Sequence, residues 1–177
     1  MTSALRGGSV VLVTSRRRLS PDARTTRDEL VALDAFLDDA IAAGVDVIQI
    51  RERDLESGLL CSSVEGVVRR AAGSNVRVLV NDRVDVAIAA VAHGVHLPAA
   101  GLPAQRVRSL MPGAMLGRSI HPGESFDDVG LDYLMFGTVF TSDSKPGLTP
   151  SGTGVLAEVA ARSAVPWNCR HTSPWLS

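Results

Sequence analysis

Short runs of β-branched and other apolar residues alternate along the chain with longer stretches whose apolar residues recur every three or four positions. The short runs are typical of strands buried on both faces, and the longer stretches are typical of amphipathic helices. Six strands are predicted from the short runs: Val10–Val13, Val45–Ile50, Val76–Val80, Val95–Leu97, Ala114–Leu116 and Tyr133–Phe136. A seventh strand should begin near Val165 and Pro166.

The stretches between these strands predict helices with one apolar face. The clearest helix carries Leu33 and Leu37 on one face, begins at a capping box made by Thr26 and Glu29, and ends at Gly44. Strict alternation of strand and helix predicts parallel strands joined by right-handed crossovers. An open doubly wound sheet and an incomplete (β/α)₈ barrel both satisfy this α/β pattern. No Gly-x-Gly-x-x-Gly follows the first strand, which argues against dinucleotide binding.

Composition and charge exclude several classes of protein. The chain has 177 residues, 45% of them hydrophobic, which suits one domain with a sizeable core, and its net charge of −1 gives no field that would attract nucleic acid or a membrane surface. The run Arg16–Arg18 is expected to be a solvated loop. Cys61 and Cys169 lack the spacing of a metal site or a disulfide framework. Without a signal peptide or a membrane-spanning apolar run, we expect a cytoplasmic protein with no nucleic-acid or membrane partner.

The composition changes abruptly after Pro166. Both tryptophans fall in the last eleven residues, and the stretch that begins at Trp167 has neither a strand nor a helix period. We therefore expect a partial barrel domain over residues 1–166 and an atypical tail over residues 167–177. A truncated or frameshifted end is favoured over an ordinary disordered terminus, because disordered tails are usually poor in aromatic residues.

Polar side chains gather where the second strand ends. Gln49, Arg51 and Arg53 fall on one face because side chains alternate along a strand. An amide and two guanidiniums that converge in this way could bind a phosphate or a carboxylate. The alternative is ion pairing within Arg51–Asp54, and spacing alone leaves the two interpretations equal.

Asn81 and Asp82 end the third strand. They could orient a ligand or hold Mg²⁺ through one carboxylate, although the residues alone favour an N-cap for the next helix. His93 and His96 flank the fourth strand and are expected to be packing residues.

Two further polar segments follow the fifth and sixth strands. His121 lies two residues after the hydroxyl of Ser119, and its imidazole could give and take protons near neutral pH, although most loop histidines are exposed and idle. Ser142, Ser144 and Lys145 could bind a phosphoryl group, or could form a polar turn. All four segments follow the carboxyl ends of predicted strands, where parallel α/β proteins bind ligands.

At these residues the sequence resembles the thiamine phosphate synthase superfamily. The resemblance runs from about Val10 to Pro166, and it is strongest in four segments: Val47–Asp54, Asn81–Ala87, Gly94–Pro98 and Asp132–Phe140. It implies a (β/α)₈ TIM barrel, here incomplete because strands 7 and 8 are missing or altered, and it implies a homodimer.

The resemblance to the synthase branch implies one set of roles. Synthases join hydroxymethylpyrimidine diphosphate to thiazole phosphate and use Mg²⁺. The diphosphate would be bound by Gln49, Arg51, Arg53, Asn81 and the segment with Ser142, Ser144 and Lys145. Asp82 would hold the metal together with a second aspartate, but Gly101 stands where that aspartate is expected, and Arg53 replaces a typical lysine.

The resemblance to the thiazole tautomerase branch implies another set of roles. Gly117, Arg118, Ser119 and His121 match its Gly-Arg-Ser-x-His segment. Such an isomerase converts a carboxythiazole phosphate to its aromatic form; Arg51 would hold the carboxylate, His121 would shuttle the proton, and no cofactor would be needed. The tautomerase is therefore the expected function, and the synthase is the first alternative. The second alternative is a truncated, non-catalytic protein that binds thiamine precursors or has a regulatory role.

Overall fold

A computed structural model of the chain describes residues 8–140 and 150–169. These residues divide between two compact units, an N-terminal unit of Gly8–His96 and a C-terminal unit that contains the described residues from Leu97 onward. In both units parallel strands are joined by connections that mostly contain helices, which confirms the predicted α/β class. No helix within the described ranges is both long and apolar enough to cross a membrane.

The N-terminal unit is built on parallel strands that pair in chain order. The strands are β1 (Val11–Val13), β2 (Val47–Ile50), β3 (Arg77–Asn81) and β4 (Gly94–Leu97), whose last residue starts the C-terminal unit. The helices are α1 (Arg16–Leu19), α2 (Thr26–Ala42), α3 (Ser57–Arg70) and α4 (Val84–Ala89). Every residue of β2 and β4 is buried, as expected for strands covered on both faces.

Helix α2 follows its predicted pattern but begins with a different cap. Leu33 and Leu37 are buried, and Gly44 takes the left-handed conformation (φ 75°) expected where a helix ends. The cap is Thr25 rather than Thr26: the Oγ1 of Thr25 accepts the backbone N–H of Asp28 at 3.1 Å. The predicted capping box is therefore wrong by one residue.

The C-terminal unit contains α5 (Ala104–Leu110), β5 (Met115–Ile120), β6 (Tyr133–Phe136), α6 (Gly152–Arg162) and β7 (Trp167–Cys169). β6 has the predicted bounds, but β5 continues four residues beyond its predicted end. Gly117 to Ile120 pair in parallel with Tyr133 to Phe136, so Ser119 lies within the strand and His121 follows it directly.

The connection from β5 to β6 carries no helix, so the predicted alternation is wrong at this point. Instead, Arg108 of α5 fastens the end of the connection, since its Nη2 donates to the carbonyl of Gly130 at 2.9 Å and to Asp132 Oδ2 at 2.8 Å. Asp132 Oδ2 also accepts the N–H of Leu116 at 2.7 Å. One guanidinium thus joins α5 to the residues that lead into β6.

The seventh strand, expected to begin near Val165 and Pro166, begins at Trp167, in a stretch that has no strand period of its own. Trp167 to Cys169 pair in parallel with Leu134 to Phe136. The first three residues of the predicted tail therefore belong to the sheet of the C-terminal unit, and the remainder of that tail lies outside the described residues.

Candidate anion-binding site

The ends of β2 and β3 bring two of the predicted site residues into contact. The Nε2 of Gln49 donates to Oδ1 of Asn81 at 2.9 Å, and both residues are buried. The register pairs Gln49 with Leu79, and Asn81 lies two residues further on, so all three side chains share a face. The Oε1 of Gln49 is buried without a hydrogen-bond partner among the described residues, which leaves hydrogen-bonding capacity at this end of the sheet.

Arg51 directly follows β2 and is anchored through its backbone. Its N–H donates to Oγ1 of Thr14 at 2.9 Å, while the N–H of Thr14 donates to the carbonyl of Gln49 at 3.0 Å. The same register brings Arg51 to the level of Asn81. Arg51 is partly buried and Arg53 is exposed. Gln49, Arg51 and Asn81 therefore lie at the same end of two adjacent strands, and Arg53 follows Arg51 two residues along the chain.

His96, expected to be a packing residue, adds a titratable group to this row. It pairs directly with Asn81 across β3 and β4, and its side chain is only 2% exposed. Directly paired residues of parallel strands point to the same face, so His96 continues the polar row formed by Gln49 and Asn81. The signal was present in the alternation of β4, where His96 lies on the face opposite Val95 and Leu97.

Asp82, the predicted metal ligand, lies in the N-terminal unit. It has a left-handed backbone (φ 66°), and its N–H donates to the carbonyl of His96 at 2.9 Å. The alternative role as an N-cap is not found, because Arg83 occupies that position of α4 and no side chain caps the helix.

The two-carboxylate Mg²⁺ site implied by the resemblance does not fit the described residues. The second carboxylate position is Gly101, where a Cβ would lie 2.8 Å from Cδ of Pro98 and 3.0 Å from its carbonyl oxygen. The loop is therefore shaped for glycine and leaves no room for an aspartate side chain without movement. Within residues 8–140 and 150–169, no three His, Cys, Asp or Glu side chains are grouped so that they could hold a metal.

Arg16 is buried, which contradicts the expected solvated loop. Its side chain is 2% exposed, and Nη1 and Nη2 donate to the two oxygens of Asp54 at 2.6 Å each. Nη1 also donates to Glu52 Oε2 at 3.0 Å, and the backbone N–H of Arg16 donates to Glu52 Oε1 at 3.1 Å. The hydrogen bonds from Arg16 lower the pKa of Asp54 to about 2. The carboxylates of the Arg51–Asp54 segment therefore have a partner outside the segment.

In the C-terminal unit, His121 is held in a defined tautomer. Its Nδ1 lies 2.6 Å from the carbonyl oxygen of Gly137, and its backbone N–H donates to Glu124 Oε2 at 2.9 Å. A carbonyl can only accept, so Nδ1 carries the hydrogen and donates it. Nε2 is then the ring nitrogen available for proton exchange or for a ligand.

Gly117 and Arg118 of the same motif contact neighbouring parts of the C-terminal unit. The ring of Tyr133 occupies the space that a Cβ at Gly117 would need, and Arg118 donates to the carbonyl of Leu102. Arg118 and Ser119 also line a cavity of about 660 Å³, together with Glu124 and other residues of the β5–β6 connection. His121 is not among the residues that line this cavity. Ser142, Ser144 and Lys145 lie outside the described residues, and their role remains a prediction.

Comparison with known proteins identifies consistent relatives. A family model described as thiamine monophosphate synthase matches residues 3–169. The chain is 35% identical to the thiamine-phosphate synthase of Thermobifida fusca (strain YX) over 156 residues, which is 85% of this chain and 70% of that protein. It is 37% identical to the thiamine-phosphate synthase of Deinococcus radiodurans over 141 residues, 74% of this chain and 50% of that protein. The chain thus spans between half and 70% of the length of these two relatives.

A solved structure supports the fold. The chain is similar to the thiamine phosphate pyrophosphorylase from Pyrococcus furiosus, with a TM-score of 0.74 and 23% identity, over 93% of this chain and 75% of that one. These findings correct the main functional expectation. The relatives are named for synthesis of thiamine phosphate, which is a transferase reaction, so the expected thiazole tautomerase and its isomerase class are wrong. The match to Gly117, Arg118, Ser119 and His121 did not decide the branch.

Proposed function

Because this chain belongs to the thiamine monophosphate synthase family, we propose that it joins hydroxymethylpyrimidine diphosphate to thiazole phosphate and releases pyrophosphate. The observation that carries the proposal is the grouping at the ends of β2 and β3. Gln49 and Asn81 are hydrogen-bonded there, and Arg51 and Arg53 follow the same strand. This is an anion-binding arrangement at the end of parallel strands where α/β proteins take up their ligands.

The reaction needs stabilisation of negative charge on the leaving group. The lone pair of the thiazole ring nitrogen forms a bond to the methylene carbon of the pyrimidine, the bond from that carbon to the diphosphate oxygen breaks, and its electron pair leaves with pyrophosphate. Fixed positive charges near the departing oxygens stabilise this transition state more than the ground state. Arg51 and Arg53 supply such charges, and the amides of Gln49 and Asn81 orient the ligand.

The remaining assignments stay proposals. A (β/α)₈ barrel and a homodimer are the finer architecture that family membership suggests. Ser119 and His121 of the C-terminal unit, with Ser142, Ser144 and Lys145, would bind or orient substrate. Synthases commonly use Mg²⁺, but the position expected for a second carboxylate beside Asp82 is Gly101.

The direct test is formation of thiamine phosphate by the purified chain from the two substrates, followed by chromatography with fluorescence detection of the oxidised product. Arg53→Met should raise the KM for the diphosphate substrate about 10- to 100-fold, because a charge-assisted hydrogen bond contributes roughly 1.5–3 kcal/mol.

The matched control is Arg69→Met, since Arg69 is an exposed arginine of α3 with no ion pair within the described residues. It should leave KM unchanged. A folded chain that binds either substrate calorimetrically but forms no product would contradict the proposal and favour a binding protein.

A further inference from the structure

The segment Arg51–Asp54 alternates in charge along the chain. Glu52 and Asp54 flank Arg53, and an arginine paired with its own neighbours would be a poor receptor for an anion. Pairing of Arg53 with either carboxylate would compete with a ligand for its positive charge. The contacts that Glu52 and Asp54 make elsewhere therefore bear on whether Arg53 is available to a ligand.

Arg16 engages all four carboxylate oxygens of the segment. Its guanidinium takes both oxygens of Asp54 and one of Glu52, and its backbone N–H takes the other oxygen of Glu52. Glu29 lies on the remaining side, with Oε2 2.8 Å from Nε, although this N–H does not point at it. No ion pair of Arg53 is found within residues 8–140 and 150–169.

Arg17 cannot replace Arg16 in this role. Its Nη2 lies 2.6 Å from Asp54 Oδ2, but the side chain is 68% exposed and reaches only one oxygen of Asp54 and none of Glu52. Pairs between exposed side chains contribute little because water screens them and long side chains lose entropy. The buried, bidentate contact of Arg16 is the stronger one.

We infer that Arg16 is a positioning residue that withdraws the carboxylates of Glu52 and Asp54 from Arg53 and so makes the end of β2 an anion receptor. This inference rests on the proposed function, in which the anion is the diphosphate of the substrate. Arg16 itself does not touch the ligand. Its effect on binding passes through the two carboxylates, and that distinguishes it from a residue that merely stabilises the fold.

The test measures binding of inorganic pyrophosphate by titration calorimetry. Arg16→Met should weaken binding at least 10-fold, because Asp54 becomes available to Arg53. Adding Asp54→Asn to Arg16→Met should restore most of the lost affinity, because the competing charge is removed. A purely structural role for Arg16 predicts no such restoration. KM for the diphosphate substrate should follow the same order, with a smaller change in kcat.

The matched control is Arg70→Met. Arg70 also bridges two carboxylates of the N-terminal unit, Asp34 at 2.7 Å and Asp38 at 2.6 Å, but it does so between α2 and α3. Its substitution should leave pyrophosphate affinity unchanged. Unaltered binding in a folded Arg16→Met variant, or a double variant as weak as the single one, would overturn the inference.

A second variant covers the case in which Arg16→Met does not fold. Arg16→Lys keeps one charge but cannot hold two carboxylates at once, so it should weaken binding about 2- to 5-fold, and Asp54→Asn should again reverse the effect. If the wild-type chain forms thiamine phosphate while these variants bind normally, the inference fails and the proposed function stands. If the wild-type chain binds no pyrophosphate, the inference also fails. The proposed function is then tested independently by the assay for thiamine phosphate formation.

Discussion

The ring of Tyr133 lies across the backbone of Gly117, its direct partner between β6 and β5. Tyr133 is fully buried, and burial raises the pKa of its phenol above the ordinary value. A Cβ at Gly117 would overlap the ring. The glycine of the Gly-Arg-Ser-x-His segment therefore has a packing cause, which explains why this segment could not by itself decide the function.

This contact predicts the effect of a single methyl group. Gly117→Ala should lower the free energy of unfolding by about 1–3 kcal/mol, because inserting an atom into a filled space forces the neighbours to move. Urea denaturation followed by circular dichroism measures the change.

The control is Gly113→Ala, since no atom lies within 4 Å of the added Cβ. It should be close to neutral. Combining Gly117→Ala with Tyr133→Leu should cost less than the sum of the two single changes, because the leucine vacates the contested space. Strict additivity would show that the ring does not occupy it.

At this scale the sequence predicted residues that share a strand and missed residues that meet from a distance. Gln49, Asn81 and their neighbours follow from the two-residue period of β2 and β3. The burial of Arg16 does not, because its partners Glu52 and Asp54 lie 36 and 38 positions away. The run Arg16–Arg18 does not indicate which of its three side chains is buried.

At the scale of elements, the start of α2 depends on which of two adjacent threonines caps the helix. Two adjacent threonines, Thr25 and Thr26, both precede acidic residues at capping distance, and the sequence does not distinguish them. The structure assigns the cap to Thr25, which accepts the N–H of Asp28. Glu29, the partner expected for Thr26, lies beside Arg16 instead.

The two threonines provide a matched pair of substitutions. Thr25→Ala should reduce the free energy of unfolding by about 1 kcal/mol, the usual cost of losing an N-cap. Thr26→Ala, in the first turn of the helix, should change it by less than about half that amount. Thermal and urea unfolding of both variants compare the two, and a larger loss at Thr26 would show that the cap lies there.

Strand boundaries were predictable only where apolar residues mark them. β6 is apolar throughout and has the predicted ends. β5 was cut short because Gly117, Arg118 and Ser119 lack apolar character, although their backbone still pairs with β6. β7 was expected to begin near Val165 and Pro166 and begins directly after them, but its extent was not predicted because Trp167–Cys169 has no alternation of its own.

For the molecule as a whole, two carboxylates make the stability of the folded state depend on pH in the acid range. The guanidinium of Arg16 lowers the pKa of Asp54 to about 2, and the guanidinium of Arg83 lowers the pKa of Asp85 to about 2, each from an ordinary value of 3.8. A carboxyl group with a depressed pKa stabilises the folded state fully above its unfolded pKa. That contribution is lost as the pH falls from about 4 through about 2.

We therefore expect the Tm to fall between pH 4 and pH 2, with a shallower fall in Asp54→Asn than in the wild-type chain. The exposed Asp22, which forms no ion pair within the described residues, gives the control Asp22→Asn, whose profile should match the wild type. Differential scanning calorimetry at half-unit pH steps makes the comparison. Parallel profiles for wild type and Asp54→Asn would show that the Arg16 contact adds no acid sensitivity.

The helix-free connection between β5 and β6 has a practical consequence. Pro122, Gly123, Glu124 and Ser125 are all exposed, and Arg108 fixes the connection at its far end through Gly130 and Asp132. Extra residues spliced in after Ser125 would leave the contact between His121 and Glu124 intact and would displace no buried side chain. A fluorescent reporter or an affinity tag could be grafted there and leave the strands on either side in register.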